Sequence, residues 1–223
     1  MTAPGGIALA FELIIFDCDG TLVDSVASIS RVCNLAMAEL GLPGDRPSSE
    51  VGKVVGLSLP VAAQVLMPDL SPELHGRWVV LYKEHYRRLA DAGALRDQLF
   101  PGVRETLTAL RDGGRRLAMA TGKSMRGVER TLKEHRLEGL FEAIKTADCA
   151  PSKPHPGMIE LILAETGVEA SRALMVGDTD FDLLMARHAG VKSCAVSWGS
   201  HDRARLAAAL PDYWIEAMEQ LIL

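Results

Sequence analysis

Four consecutive apolar residues, Leu13-Ile14-Ile15-Phe16, run directly into Asp17-Cys18-Asp19-Gly20-Thr21. So short an unbroken apolar run predicts a strand buried on both faces. The polar string after it must leave regular strand geometry, and Gly20 supplies the backbone freedom to do so. The period then changes. Val26, Ile29, Cys33, Ala36 or Met37, and Leu40 recur at spacings of three and four, which makes one helical stripe. Asp24 or Ser25 can cap this helix, and Gly41-Leu42-Pro43 ends it. Further helices are predicted at about 48–55, 59–67 and 72–91, punctuated by Pro60, Pro68 and Pro72. No alternating pattern lies between residues 25 and 95, so that stretch reads as an all-helical insert.

From Phe100 onward strands and helices alternate. Pro101-Gly102 opens a helix carrying Val103, Leu107 and Leu110, which Gly113-Gly114 terminates. Next come a strand at 116–120 ending in Thr121-Gly122-Lys123, a helix at about 124–136, and a strand at about 143–146. A helix at about 156–166, a strand at 172–177, a helix with Phe181, Leu184, Met185 and His188, and a strand at 192–197 follow. Tyr213-Trp214-Ile215 reads as a last short strand before a final helix. Alternation of this kind predicts an α/β fold with a Rossmann-like parallel sheet covered on both faces. Ligands in such sheets bind beyond the carboxyl ends of the strands. The expected division is a core of residues 1–23 and 97–223 with a small helical domain at 24–96. There is no internal repeat and no low-complexity tract.

Composition narrows the function classes. A chain of 223 residues has room for one full domain and a smaller inserted one. With 48% hydrophobic and 24% charged residues it reads as an ordinary globular protein. A net charge of -5 gives no overall attraction to nucleic acid or to an anionic membrane. Arg126, Arg130, Lys133 and Arg136 gather locally, but beside Glu129 and Glu134 they read as a solvated helix face. The scattered Cys18, Cys33, Cys149 and Cys194 show no metal-ligand spacing and read as reduced thiols. The run from Ile7 to Phe16 lacks a basic leader and a small-residue cleavage site, and no window approaches the roughly 18 apolar residues of a membrane span. A cytoplasmic protein is expected, as a monomer or homodimer.

Paired carboxylates just past a buried strand suit in-line phosphoryl transfer, in which one attacks phosphorus and the other handles the leaving group's proton. The string Asp-x-Asp-Gly-Thr-Leu-x-Asp-Ser, from Asp17 to Ser25, resembles the first motif of the haloacid dehalogenase superfamily. Ala120-Thr121-Gly122-Lys123 resembles the second motif, Ser152-Lys153-Pro154-His155-Pro156 the third, and Val176-Gly177-Asp178-Thr179-Asp180-Phe181-Asp182 the fourth. Motif order and strand context agree over nearly the whole chain. The helical insert between the first two motifs is similar to the cap of the phosphoglycolate-phosphatase-like branch.

The resemblance implies a role for each residue. Asp17 is the nucleophile that becomes an aspartyl phosphate, and Asp19 is the acid and then the base; the residues alone leave the reverse assignment open. Four acids at one site call for a cation, and hard carboxylate oxygens suit Mg2+. By the resemblance Asp17 and Asp178 bind it through side chains and Asp19 through its carbonyl, with Asp182 orienting a ligand or the lysine. Thr121 and Lys153 hold phosphate oxygens together with amides near Gly20 and Gly122. The loop Val55-Gly56-Leu57-Ser58 resembles the cap segment that points at the phosphate. Lys53, Tyr82, His85, Arg87 and Arg88 are candidates for a second anionic group on the substrate, a small phosphorylated metabolite.

Blander readings cover the remainder. Cys18 is expected to be buried and inert, Asp180 to sit in the first turn of a helix, and Trp198 to pack. His75, His85, His135, His188 and His201 form no ligand spacing, and His155 stands near the site in sequence only. Among neighbouring chemistries, Asp19 argues against a dehalogenase or a phosphonate-cleaving enzyme, both of which lack the second acid. A pyrophosphatase or a sugar-phosphate mutase would use the same core. A signalling receiver domain shares the acid cluster, Thr and Lys, but is shorter and has no helical insert. A catalytically silent binding module is disfavoured because every expected catalytic position is occupied.

Overall fold

A computed structural model describes residues 6–42 and 46–223, so Pro43 of the expected helix stop lies outside the described residues. The elements in chain order are β1 (Leu13–Phe16), β2 (Val23–Asp24), α1 (Val26–Glu39), α2 (Ser48–Val51), α3 (Leu59–Leu66) and α4 (Pro72–Asp91). They continue with β3 (Gln98–Leu99), α5 (Val103–Asp112), β4 (Arg116–Thr121), α6 (Met125–Glu134), β5 (Ala143–Thr146) and α7 (Gly157–Thr166). The last are β6 (Ala173–Gly177), α8 (Asp180–His188), β7 (Lys192–Val196), α9 (Arg203–Ala208) and β8 (Tyr213–Ile215). The expected final helix is a single 3-10 turn, Met218–Leu221.

Six strands form one parallel sheet in the order β5-β4-β1-β6-β7-β8. The chain proceeds from β1 outward through β4 to β5, then returns to the other side of β1 and continues through β6 to β8. The direction therefore reverses between β1 and β6, and a crevice opens there beyond the carboxyl ends of the strands. Residues along β1 alternate between the two faces. Ile14 and Phe16 pack with Val103, Leu107, Leu110, Val128 and Leu132 of α5 and α6. Leu13 and Ile15 pack with Met158, Ile159 and Ile162 of α7 and Met185 and Ala186 of α8. The continuous apolar run needed no alternation because both of its faces are covered.

Helices α1–α4 enclose a core of their own, with Val32, Cys33, Ala36 and Met37 of α1 against Trp78 and Tyr82 of α4 and Ala62, Ala63 and Leu66 of α3. The stripe on α1 is rotated from the expected one: Val32 is buried, whereas Val26 and Ile29 are half-buried. The insert's exits are tied together by a two-stranded ribbon, β2 against β3, in which Val23 pairs Leu99 and Asp24 pairs Gln98. No pattern in the sequence announces it, since two residues are too few for a periodicity to register. Among the described residues no helix is long and apolar enough to cross a membrane.

Ile14 is fully buried at the centre of the larger core. Ile14→Ala is expected to lower the unfolding free energy by about 2–5 kcal/mol, the usual range for such a truncation, as read from urea denaturation.

Candidate active site

Asp17 follows β1 directly, and its amide donates to the Val176 carbonyl of β6 (3.0 Å), which fixes it over the crevice. The chain then turns tightly, with the Gly20 amide donating to the Val23 carbonyl (2.8 Å). Gly20 has φ +86°, and a Cβ there would lie 2.1 Å from Asp178 Oδ2. No other residue fits, because both the backbone and the close approach to the carboxylate exclude a side chain. Asp178, beyond β6, accepts from Thr21 Oγ1 (2.8 Å) on one oxygen and from the Ser200 amide (2.7 Å) on the other.

Lys153 is fully buried between two acids. Its Nζ is 2.6 Å from Asp182 Oδ1 and 2.8 Å from Asp17 Oδ1. The other oxygen of Asp182 accepts from the amide and hydroxyl of Thr179 (3.1 and 2.6 Å), closing a capping box at the start of α8. Both oxygens of Asp182 are thus engaged. Asp17 Oδ1 faces only the Lys153 ammonium, and its Oδ2 has no partner among the described residues. Asp17, Asp178 and Asp182 each bring a carboxylate oxygen within 4.8 Å of the others.

Burial pushes the Asp17 carboxyl up to about 8, helped by Asp182 and Asp178 and opposed by Lys153. Burial and Asp182 push Asp178 up to about 6 against its hydrogen bonds from Ser200 and Thr21. Burial works against the charge on Lys153, but Asp17 and Asp182 outweigh it and hold the ammonium above its ordinary range. An unpartnered buried carboxylate oxygen beside two further acids fits a hard divalent cation, whose charge would keep those acids ionised.

Asp19 has partners of its own, apart from this cluster. It accepts from Ser25 Oγ (2.6 Å) and from Lys123 Nζ on both oxygens (2.7 and 2.9 Å). Ser25 stands at the N-cap of α1 but makes no capping bond, because its hydroxyl is drawn to Asp19 instead. Lys123 went unread as a site residue; its place two residues past Thr121 is the one signal in the sequence. Burial opposes its charge, yet Asp19 holds the ammonium well above its usual range. Thr121 is the buried last residue of β4 and accepts from the Lys123 amide (3.2 Å).

The insert reaches this site through the loop 55–58. A Cβ built on Gly56, whose φ is +90°, would lie 3.9 Å from Asp17 Oδ2. A Cβ on Gly122 would lie 2.4 and 2.7 Å from the carbonyls of Gly56 and Leu57, so the second-motif loop and the insert touch backbone to backbone. Ser152 Oγ accepts from the Ser58 amide (2.9 Å). Between insert and sheet domain lies a cleft of about 1030 Å³, lined by Asp19, Lys123, Tyr82, Tyr86, Arg87 and Arg126 among others.

The candidates for a second anion separate here. Tyr82 and Arg87 line the cleft, and His85, Arg88 and Lys53 do not. His85 is buried 2.8 Å from Glu39 Oε2 and 2.8 Å from Arg88. The Lys53 carbonyl lies 3.2 Å from His201 Nε2 and accepts from Arg205 (3.3 Å). The supposed solvated face of α6 is in part a cleft wall, since Arg126, Arg130 and Lys133 border it. Asp180 opens α8 as expected and also accepts from Nε and Nη2 of Arg205 (2.8 and 3.0 Å). Against the cost of burial, His201 and Arg205 hold its carboxyl down to about 2. Cys18 is buried, and burial pushes its thiol up. His155 Nδ1 accepts from the Gly157 amide (3.0 Å). Trp198 packs on Phe100 at a tilt of 51°, ring centroids 6.0 Å apart, and donates to the Thr21 carbonyl (3.2 Å).

Residues 14–196 match the family model described as haloacid dehalogenase-like hydrolase. The chain is 35% identical over 214 residues to "Probable phosphatase IndB" of Dickeya dadantii, covering 94% of this chain and 91% of that one. It is 31% identical over 218 residues to a phosphoglycolate phosphatase of Aliivibrio fischeri, covering 95% of each. Among solved structures it resembles a haloacid dehalogenase-like family protein of Streptococcus pneumoniae, with 27% identity, TM-score 0.82 and coverage of 96% and 97%. A predicted phosphoglycolate phosphatase of Haemophilus somnus is 25% identical, with TM-score 0.83 and coverage of 94% and 95%.

Raised carboxyl pKa values have a stability consequence. An acid whose folded pKa exceeds its unfolded one keeps protons that unfolding would release, so its contribution falls as pH rises between the two. For Asp17 that window runs from the ordinary 3.8 to about 8. In metal-free buffer, Asp17→Asn is expected to become progressively more stable than the wild type as pH rises through this window, as read by urea denaturation; a pH-independent difference contradicts it.

Proposed function

The chain belongs to the haloacid dehalogenase-like hydrolase family, and from that premise we propose that it is a Mg2+-dependent phosphatase acting on a small phosphomonoester through an aspartyl phosphate. The observation that carries the reading is Asp17. A fully buried carboxylate at the end of the central strand, with an oxygen bonded to nothing, is costly to bury and is suited to attack. Relatives named phosphatases and phosphoglycolate phosphatases support a phosphoglycolate-like or sugar-phosphate substrate.

In this reading an Asp17 oxygen bonds to phosphorus as the bond to the ester oxygen breaks. Asp19, protonated, passes its proton to the departing alkoxide and becomes a carboxylate. It then takes a proton from the water whose oxygen attacks phosphorus. The Asp17–phosphorus bond breaks, inorganic phosphate leaves, and Asp19 is again an acid. Lys153, Thr121 and amides near Gly20 and Gly122 hold the phosphate oxygens where charge develops. Asp182 and Thr179 keep the Lys153 ammonium in place.

The charges present support a divalent ion. When all are ionised, Asp17, Asp19, Asp178 and Asp182 carry four negative charges against two positive ones on Lys123 and Lys153, which leaves two for a cation to balance. Asp17, Asp178 and the Asp19 carbonyl would hold Mg2+, and Asp182, already engaged, would stay outside. Bound there, the ion would neutralise the acids and draw charge from the phosphate. Residues 24–96 act as the cap, with the β2–β3 ribbon as its root. The substrate is a small cytoplasmic metabolite rather than a nucleic acid or a membrane lipid, and the enzyme works as a monomer or homodimer.

The test is a panel of alkyl monoesters and pyrophosphate with and without Mg2+. Wild-type enzyme is expected to release phosphate from at least one monoester, and to stop when EDTA removes the metal. Asp17→Asn should abolish turnover while remaining folded, and Asp19→Asn should slow an alkyl ester by about 10²–10⁴-fold. Normal turnover by Asp17→Asn defeats the nucleophile assignment. Activity on pyrophosphate alone replaces the monoester reading.

A further inference from the structure

Helix α4 carries Trp78, Tyr82 and Tyr86 four residues apart, so their rings fall on one face of it. They run in line from the catalytic rim. Lys123 Nζ, itself 2.7 Å from Asp19, lies 5.8 Å from the centre of the Tyr86 ring. The Tyr82 ring follows, nearly parallel to it at 6.3 Å, and the Trp78 ring lies 5.2 Å beyond Tyr82. All three border the cleft of about 1030 Å³, and Ile29, Leu57 and Leu66 add apolar surface to it. Aromatic residues at this spacing are usually core, and Trp78 and Tyr82 do pack in the core of the insert. Tyr82 departs from that role at its polar end. Only 7% of it is exposed, yet its hydroxyl has no partner among the described residues. A buried tyrosine ordinarily finds one. Burial also pushes its phenol well up, so the proton stays on and the group remains a donor. The Lys123 ammonium nearby is already balanced by Asp19, so what this end of the cleft lacks is an acceptor for a phenol rather than an anion for a cation.

The same cleft is bordered by Gly56, where a Cβ would lie 3.9 Å from Asp17 Oδ2, so an alcohol esterified to phosphorus at Asp17 extends into it. The smallest alcohols would occupy little of that space, whereas small-molecule sites bury most of their ligand's surface. We propose that the aromatic wall is a leaving-group subsite for a phosphomonoester whose alcohol carries a flat ring with a hydrogen-bond acceptor at its edge. The ring packs against Tyr86 and Tyr82, and the acceptor takes the Tyr82 hydroxyl. Ring on ring gains contact without any charge, and the hydroxyl fixes which edge faces α4. A short saturated alcohol offers no flat face to the wall and no acceptor to the phenol. Tyr82 and Tyr86 touch the alcohol alone and take no part in making or breaking bonds, so they set specificity. This inference rests on the phosphatase reading above and narrows the alcohol that the reading leaves open.

The probes are ethyl, benzyl and 3-pyridylmethyl phosphate, compared with Mg2+ present above neutral pH, where the pyridine nitrogen is a free acceptor. Each releases its oxygen from a CH2 carbon, so the esters differ in the ring and then in one ring atom. Wild-type enzyme is expected to favour benzyl over ethyl phosphate by about 10–100-fold in kcat/KM, as for apolar surface gained in a pocket. It should favour 3-pyridylmethyl over benzyl phosphate by about 3–10-fold, as for one neutral hydrogen bond. Tyr82→Phe keeps the ring and removes the donor, and should bring the second ratio to about one. Tyr86→Leu should cut the first ratio to about threefold or less. Merely structural tyrosines would lower all three esters alike and leave both ratios standing, and that result overturns the subsite. Should Tyr86→Leu fail to fold, the wild type decides: equal kcat/KM on ethyl and benzyl phosphate overturns the subsite by itself. Hydrolysis without preference for a ring sinks the subsite alone, whereas no hydrolysis of any ester sinks the phosphatase reading with it.

Discussion

The buried ammonium of Lys153 is the interaction on which this molecule's architecture turns. It sits between Asp17 of the central strand and Asp182 of α8, joining two chain segments that are far apart in sequence. Withdrawing three charged groups from water is costly, and in a low-dielectric interior they hold together only as a set. The set is also unfinished, because Asp17 and Asp178 are left pushed toward protonation by burial. A fold stabilised first of all by hydrophobic packing on both faces of β1 can sustain such a site, since the cost falls on a few residues at one rim.

Position follows from topology. Asp17 and Asp178 end neighbouring parallel strands at the point where the sheet reverses direction, so their carboxylates meet without any loop having to reach. The fine spacing follows from missing side chains. Gly20 admits Asp178 to a distance no Cβ would allow, and Gly122 lets the helical insert rest on the second-motif loop. A close approach of this sort sets the separation of acids by backbone contact, which is stiffer than any arrangement of rotamers.

Much of this was legible beforehand, and the reasons are specific. The unbroken apolar run 13–16 marked a strand covered on both faces, and the switch to spacings of three and four marked α1. That Asp17, Asp178, Asp182 and Lys153 lie at one rim was readable from a family's order, with Asp17 and Asp178 just past strands, Lys153 just before α7 and Asp182 in the first turn of α8. What escaped was settled by tertiary contact. The β2–β3 ribbon is two residues wide. Val32 is buried because α1 turns that flank toward α4, which one helix alone does not specify. Ser25 looked like a helix cap, and its hydroxyl serves Asp19 instead. The cations on α6 had the composition of a solvated face, and only the facing insert makes them a wall of the cleft.

Volume and charge make different demands on the leaving-group side. A cleft of about 1030 Å³ stands at the upper end of the range for small-molecule sites, about 300–1,000 Å³, so shape alone rejects few small esters. A hydrophobic wall separates leaving groups that differ by a methylene only about 10–200-fold, whereas a buried polar group left unpaired can discriminate far more strongly. Charged groups at the inner end of the cleft therefore have greater leverage than its width. Lys123 is the ammonium placed there beside Asp19, with its own charge already balanced. Charge at the cleft wall then has more leverage over which ester is held than the cleft's size, which is left to serve entry and release.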